Sequence, residues 1–162
     1  ALDNLWDGLG ALTIKYPQIR YFFGKFTMYP SFDRKGRDMI LFYLQRPFGD
    51  KQQLVTPHKA LKFESKLSIL ERLFPIQAVK ENYKILNREI RALGENIPPL
   101  VNAYMNLSAT MKVFGTAIND EFGNVEETAI LITIEGIYPE KIERHLIYDK
   151  NEKPEHLKVI ES

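Results

Sequence analysis

The chain has 162 residues, 44% of them apolar and 27% charged, which is the composition of one globular domain. Its net charge of +1 gives no global electrostatic preference for nucleic acid, so no nucleic-acid partner is expected. Because it has no cysteine, it cannot form a disulfide, a thiolate nucleophile or a Cys-based zinc site.

The first third of the chain is predicted to fold as helix, strand and helix. Apolar residues recur at helical spacing over residues 2–12, with Asp3 as the predicted N-cap and Pro17 as the stop. The aromatic-rich segment 20–28 predicts a strand, and the pattern over 33–48 predicts a second helix.

The middle of the chain is predicted to be mainly helical. A polar loop over 49–58 precedes two helices near 64–74 and 77–93. The second of these carries one apolar stripe, formed by Val79, Tyr83, Leu86, Ile90 and Leu93. Gly94 is its predicted C-terminal stop, and Pro98-Pro99 is expected to open another helix.

The last part of the chain predicts a β-hairpin. Strands are expected at 111–119 and 128–134, on either side of an acidic turn at 120–127. A short helix follows Pro139, and a polar tail without periodicity begins at Asp149. The order of elements predicts a mixed α/β or α+β domain whose sheet is antiparallel in part.

One local concentration of positive charge lies where the first strand gives way to the second helix. Ser31 opens this segment, which contains Arg34, Lys35 and Arg37. A helix N-terminus disfavours cations, because its free N–H groups and its dipole make it positive. Two interpretations stay open: these cations bind a phosphate or an acidic protein, or they are solvated surface charges.

Other polar groups also leave two interpretations open. Tyr43 lies in an apolar run and belongs either to the core or to a site. Tyr104, Asn106 and Ser108 interrupt an apolar helix pattern and either line a cleft or lie on the helix surface. The acidic turn either holds a cation or an amine, or is a solvated hairpin tip. The histidines, which are His58, His145 and His156, are too widely separated to predict a metal site.

The sequence resembles a known enzyme family in several blocks taken in order. The block IPPLVNAY (97–104), followed by FGTAINDEFG (114–123), resembles the end of the hemolysin-like acetyltransferases of the GNAT superfamily. In that family a "PPL" helix start is followed by a strand, a "D-x-F-G" turn and another apolar strand. Upstream, YFFG and MYPS within 21–31 resemble the family's "YLFG…S" strand and turn, and ALDNLWDGL (1–9) resembles the preceding helix. The resemblance extends to about residue 147 and is closest to Bacteroides-type members.

The resemblance implies a fold and an activity. Residues 1–148 would be the C-terminal part of a GNAT-like acyltransferase domain, with a helical insertion at about 59–96 and a polar tail at 149–162. The family is related to the enzymes that make ornithine and glycine lipids. The implied reaction moves a fatty acyl group from an acyl carrier protein or CoA thioester to an amine, without a metal. The GNAT pyrophosphate loop, "R/Q-x-x-G-x-G/A", is absent, so residues 1–162 alone are expected to be inactive.

The resemblance also assigns roles to individual residues. Many GNAT enzymes carry a Tyr, five positions before a Phe, that protonates the departing thiolate, and Tyr43 and Phe48 have this spacing. The usual Gly before the Phe is Pro47 here. The cations of the Ser31 segment would suit an acidic carrier protein and its phosphopantetheine arm.

Further expectations concern partners and location. The implied acceptor is a small-molecule amine, and the implied location is the cytoplasm, with peripheral contact at the inner membrane surface. A half-domain exposes a sheet edge and apolar surface, which favours a homo-oligomer. The alternative is a non-catalytic module that binds lipid or a partner and derives from the same fold.

Overall fold

The computed structural model describes residues 2–75 and 79–145, which contain six α-helices and three β-strands. In chain order these are α1 (Leu2–Lys15), β1 (Tyr21–Met28), α2 (Arg34–Phe48), α3 (Leu67–Leu73), α4 (Val79–Ala92), α5 (Pro99–Met105), β2 (Lys112–Asn119), β3 (Val125–Thr133) and α6 (Pro139–His145). The predicted polar tail and His156 lie outside the described residues.

The three strands form one sheet in the order β1-β3-β2, so β3 is the central strand. Both neighbours run antiparallel to it, with Tyr21 opposite Thr133 at one end of the β1–β3 pair. The β2–β3 register shifts between Val113 and Thr116. The predicted mixed α/β fold with an antiparallel hairpin is therefore confirmed.

Helix α2 packs its first two and a half turns into the interior. The continuous run from Gly36 to Leu44 is buried, and the hydrophobic core also takes in Ile130 and Ile132 of β3. Asp33 caps this helix, because its carboxylate accepts a 2.9 Å hydrogen bond from the Gly36 N–H. The predicted boundaries of this helix are confirmed.

Helix α4 lies beside α2 and contributes Leu86 and Ile90 of its predicted apolar stripe to the same core. Leu86 and Ile90 are fully buried. Gly94 follows the helix at φ +77°, a left-handed conformation that glycine adopts without strain. The Glu95 N–H then bonds the Ile90 carbonyl at 3.1 Å, which closes a Schellman-type end. The predicted C-terminal stop is confirmed.

Two predicted helix boundaries are wrong. Asp3 lies inside α1, which includes Leu2, so it is not the N-cap. Helix α3 begins at Leu67 instead of residue 64, because the backbone N–H groups of Glu64 and Ser65 donate to Asp38, 2.8 and 2.7 Å from its Oδ2. A tertiary contact therefore holds these two residues in a bend before the helix.

Strand β3 starts three residues earlier than its sequence pattern predicts. The hairpin turn is confined to a 3-10 turn at Asp120–Phe122 and to Gly123 and Asn124, which have φ of 67° and 55°. The strand then begins at Val125. This places Glu126, predicted to lie in the acidic turn, inside the central strand.

Candidate functional site

The start of α2 joins β3 through a buried group of charges. The Arg37 side chain is only 2% exposed, and Glu126 beside it is 5% exposed. Arg37 Nη1 donates to Glu126 Oε1 at 2.8 Å, and its Nε donates to Asp38 Oδ1 at 2.9 Å. Glu64 approaches from the surface, with its Oε1 3.2 Å from Arg37 Nη2. We call these four residues the buried charge cluster.

The electrostatics of the buried charge cluster favour a permanently charged Arg37. Burial acts to lower the pKa of Arg37, but the hydrogen bonds to Asp38 and Glu126 and the charges of these carboxylates raise it above its ordinary value. Glu126 Oε2 is buried without a hydrogen-bond partner among the described residues. The cluster holds α2 against β3.

The cations predicted as one surface group do not share one environment. The expectation that Arg37 is free to meet an anion, or is solvated, is wrong, because carboxylates from three chain segments enclose its guanidinium. Arg34 is partly exposed and donates to Glu126 Oε1 at 2.5 Å. Lys35 and Ser31 are exposed, and Lys35 makes no ion pair with any residue in the described ranges.

Tyr43 lies in the core, where the packing interpretation placed it. Its side chain is 5% exposed, and its ring contacts Phe74 edge-on and Tyr83 at a tilt, with centroids 6.1 and 6.3 Å away. Burial raises the pKa of Tyr43, and the nearby Tyr83 adds to this effect. A tyrosine phenol is protonated at neutral pH in any case, and the raised pKa makes Tyr43 a weaker acid than an exposed tyrosine.

The three residues predicted to line a cleft occupy three different settings. Tyr104 is half-buried in α5, where its ring meets Trp6 edge-on at 5.8 Å, and burial raises the pKa of its phenol. Asn106 caps the end of α5 and is exposed. Ser108 is buried beyond the helix and donates to the Gly136 carbonyl at 2.7 Å. The prediction that all three belong to one helix is wrong, because α5 ends at Met105.

The acidic hairpin is divided between surface and interior. Asp120 pairs with Lys59, and this hydrogen bond lowers the pKa of Asp120. Glu127 faces outward and lies 2.5 Å from Lys25 Nζ. Glu126 faces inward, so the solvated-tip interpretation is wrong for this residue. In the part of the chain that the structure describes, no group of three or more His, Cys, Asp or Glu side chains could hold a metal ion.

A cavity of about 580 Å³ opens between α2, α3 and α4. Its apolar lining consists of Met39, Ile69, Leu70, Leu73, Ala92 and Leu93. Its polar and charged lining consists of Lys35, Glu64, Ser65, Lys66 and Glu89. We call this space the helical cavity. Glu64 also belongs to the buried charge cluster, so this residue is part of both the cluster and the lining of the cavity.

A second cavity of about 400 Å³ lies on the face of the sheet that points away from the hydrophobic core. It is bounded by Phe23 and Lys25 of β1 and by Val55 and Pro57 of the loop after α2. Pro57 approaches Gly115 so closely that a Cβ there would lie 2.6 Å from the proline Cδ. This loop therefore covers part of the outer face of the sheet.

Sequence reasoning missed the residues that matter most to this arrangement. The period of two in β3 carries a usable signal, because Glu126 is in phase with the buried Thr128, Ile130 and Ile132. The helical cavity has no such signal, since its walls come from three separate helices.

Among the described residues, no helix is both long and apolar enough to cross a membrane.

The sequence is closely similar to two curated enzymes. It is 58% identical over 159 residues to a glycine N(alpha)-acyltransferase of Phocaeicola vulgatus, which covers 98% of this chain and 49% of that enzyme. It is also 58% identical over 159 residues to a glycine N(alpha)-acyltransferase of Bacteroides thetaiotaomicron, covering 47% of that enzyme. No family model and no solved structure matches the chain.

These similarities agree with the acyltransferase resemblance in the sequence. The chain spans about half the length of the curated relatives it matches. Over nearly all of its own length, it is therefore a close relative of one half of two bacterial N-acyltransferases.

Proposed function

We propose that the chain forms part of an N-acyltransferase that transfers a fatty acyl group to the amino group of glycine. The observation that carries this proposal is the 58% identity over 98% of the chain to two glycine N(alpha)-acyltransferases. The antiparallel sheet between helices agrees with the GNAT-like, hemolysin-like domain that the sequence resemblance implies. Its product would be an N-acylglycine, an intermediate suited to amino-acid-lipid synthesis.

The acyl donor in this proposal is a thioester of acyl carrier protein or of CoA. Lys35 supports a carrier-protein contact, because it is exposed and has no ion-pair partner among the described residues. Arg34 is 40% exposed and adds positive charge beside it. Ser31 lies on the same exposed approach to α2. Arg37 serves this surface indirectly, by fixing α2 against the sheet.

Tyr43 is the proposed general acid for the departing thiolate. The five-position spacing of Tyr43 and Phe48 supports the role, and a tyrosine phenol carries a proton at neutral pH. The side chain is 5% exposed, so the departing thiolate must approach a hydroxyl that the core largely encloses. The proposal also includes a cytoplasmic location, a peripheral contact with the membrane and a homo-oligomeric state.

The test uses the protein expressed from the complete reading frame that contains this chain. It is incubated with glycine and with hexadecanoyl thioesters of acyl carrier protein or CoA, and N-hexadecanoylglycine is measured by mass spectrometry. We expect this product with at least one donor, and less product when ornithine replaces glycine. Thioester consumption without acylglycine, or no consumption with either donor, would contradict the proposal.

The separate 162-residue chain is a second arm of this experiment. We expect no turnover from it, because it spans about half the length of the acyltransferases it matches. Turnover by this chain equal to that of the complete protein would show that it carries the whole catalytic apparatus. Binding of donor or lipid by a complete protein without catalysis would instead support the non-catalytic alternative.

A further inference from the structure

The helical cavity has the walls of a site for an alkyl chain. Leu70 forms the buried floor, while Ile69 and Leu93 are 48% and 36% exposed at its sides. A volume of about 580 Å³ lies within the usual range of small-molecule sites, roughly 300–1,000 Å³. Covering apolar walls that are open to water is favourable, because it removes apolar surface from water.

The mouth of this cavity has two lysines without ion-pair partners and two glutamates with them. Glu89 lies 2.6 Å from Arg88 Nη2, and Glu64 lies 3.2 Å from Arg37 Nη2, a guanidinium that two further carboxylates share. The two lysines, Lys35 and Lys66, are exposed and have no ion pair within the ranges that the structure describes. A ligand with an apolar chain and one anionic end therefore matches both the walls and the mouth.

We propose that the helical cavity binds the acyl chain of an N-acylglycine, with the ligand's carboxylate held at Lys35 and Lys66. This inference rests on the proposed function, which supplies a ligand of this chemistry. The carboxylate meets two unpaired ammonium groups, while the chain covers Met39, Ile69 and Leu73. None of the lining residues belongs to a strand, so this is a chain-binding site formed by the helices and by the segment before α3.

The test measures binding without turnover. The 162-residue chain is loaded with a fluorescent fatty acid, and three ligands compete for it. N-hexadecanoylglycine carries both chain and carboxylate, N-hexadecanoylethanolamine replaces the carboxylate with a hydroxyl, and N-acetylglycine lacks the chain. We expect displacement by the first, roughly tenfold weaker displacement by the second because the ionic contacts are lost, and none by the third. Shortening the chain should weaken binding by roughly fourfold for each buried methylene removed.

Two pairs of variants locate the site. Ile69→Trp fills the cavity from a half-exposed position, whereas Leu67→Trp adds the same bulk on the same helix at a residue that does not line it. We expect the Ile69 variant to lose binding by about tenfold or more, and the Leu67 variant to bind like the wild type. Ala92→Phe is a second filling variant, used if Ile69→Trp lowers the melting temperature.

A double variant, Lys35→Glu with Lys66→Glu, reverses both charges at the mouth of the cavity. Its control is the double variant Lys51→Glu with Lys62→Glu, at exposed positions that do not line the cavity. The first pair should weaken binding of the acylglycine by roughly tenfold at low salt, but not that of the ethanolamide. The control pair should leave both affinities unchanged. Equal effects of the two pairs, or equal affinity of wild type and both filling variants, would overturn the proposal. Absence of acylglycine binding would contradict the cavity proposal but not glycine acylation. Absence of acylation in the complete protein would contradict the proposed function but not binding in the cavity.

Discussion

Arg37 and Glu126 lie 89 positions apart in the chain, yet their side chains meet at 2.8 Å between Nη1 and Oε1. Both are almost fully buried, so this ion pair joins the first turn of α2 to the central strand. Removal of one partner from a buried pair costs more than the pair itself contributes, because the other charge stays desolvated.

Replacing Arg37 with Met should therefore destabilise the chain strongly. Asp38 and Glu126 would lose their shared cation, leaving Glu126 only the partly exposed Arg34 and Asp38 only backbone N–H groups, and loss of one partner of a buried pair costs about 3–5 kcal/mol. Urea unfolding of the wild type and the variant measures this difference. Lys62→Met is the control, since Lys62 is exposed. A change in the free energy of unfolding below about 0.5 kcal/mol, which is typical of surface sites, would show that the pair contributes little.

Gly24 and Tyr104 form a steric pair that can be tested by rescue. A Cβ added at Gly24 would lie 2.7 Å from the Tyr104 hydroxyl oxygen, but 3.7 Å from the ring carbon that bears it. Gly24→Ala should therefore cost about 1–3 kcal/mol, as overpacking usually does. Adding Tyr104→Phe removes the clashing atom and should restore most of the loss. Thermal unfolding of the two single variants and the double variant measures the coupling, and purely additive effects would contradict the contact.

Asp50 should make stability depend on pH on the acid side. Partial burial acts to raise the pKa of Asp50, but hydrogen bonds from the Leu54 and Gln52 N–H groups and the charge of Lys112 lower it overall. A carboxyl whose folded-state pKa is depressed stabilises the fold above its unfolded pKa, and this contribution is lost as pH falls through the folded value. Asp50→Asn should thus be less stable than the wild type near neutral pH, with the difference vanishing in acid. Unfolding free energies measured from about pH 7 to about pH 3 test this.

Tyr43→Phe removes the hydroxyl that is proposed to donate a proton but keeps the aromatic ring that packs in the core. The variant keeps the ring contacts with Phe74 and Tyr83, so the melting temperature should change little. Loss of a general acid lowers kcat by about 100-fold or more, and we expect that loss in the complete enzyme. Tyr83→Phe is the matched control, because it removes a hydroxyl that bonds Asn102 at 2.9 Å. An unchanged kcat in Tyr43→Phe would leave Tyr43 as a core residue alone.

Lys35→Glu tests the proposed carrier-protein contact without disturbing the buried charge cluster. Exposed charges of this kind act mainly on association rate, so reversal should slow association of acyl carrier protein by roughly fivefold at low salt. The effect should shrink near 1 M salt, where the Debye length is about 3 Å. Stopped-flow binding at both salt concentrations measures it, with Lys62→Glu as the control. An unchanged rate at low salt would show that Lys35 is a solvated surface charge.

Much of the local structure could be predicted from the amino-acid sequence. The period of the apolar residues predicted the helical stripe that ends at Gly94, and it predicted the hairpin that makes the sheet antiparallel. The bounds of α2 were predicted to within one residue from the pattern of its apolar residues. The ordered blocks of resemblance also indicated the acyltransferase relationship that the two relatives bear out.

Which charges are buried, and where a ligand-sized space lies, could not be predicted, because both depend on tertiary packing. Arg37 and Lys35 look alike in sequence, but Arg37 faces the sheet, where Glu126 arrives from a strand 89 positions away. The helical cavity likewise exists because α3 and α4 close over α2. The period of the apolar residues predicts which face of a helix or strand is apolar. Which residues pack against that face depends on chain segments that are distant in sequence.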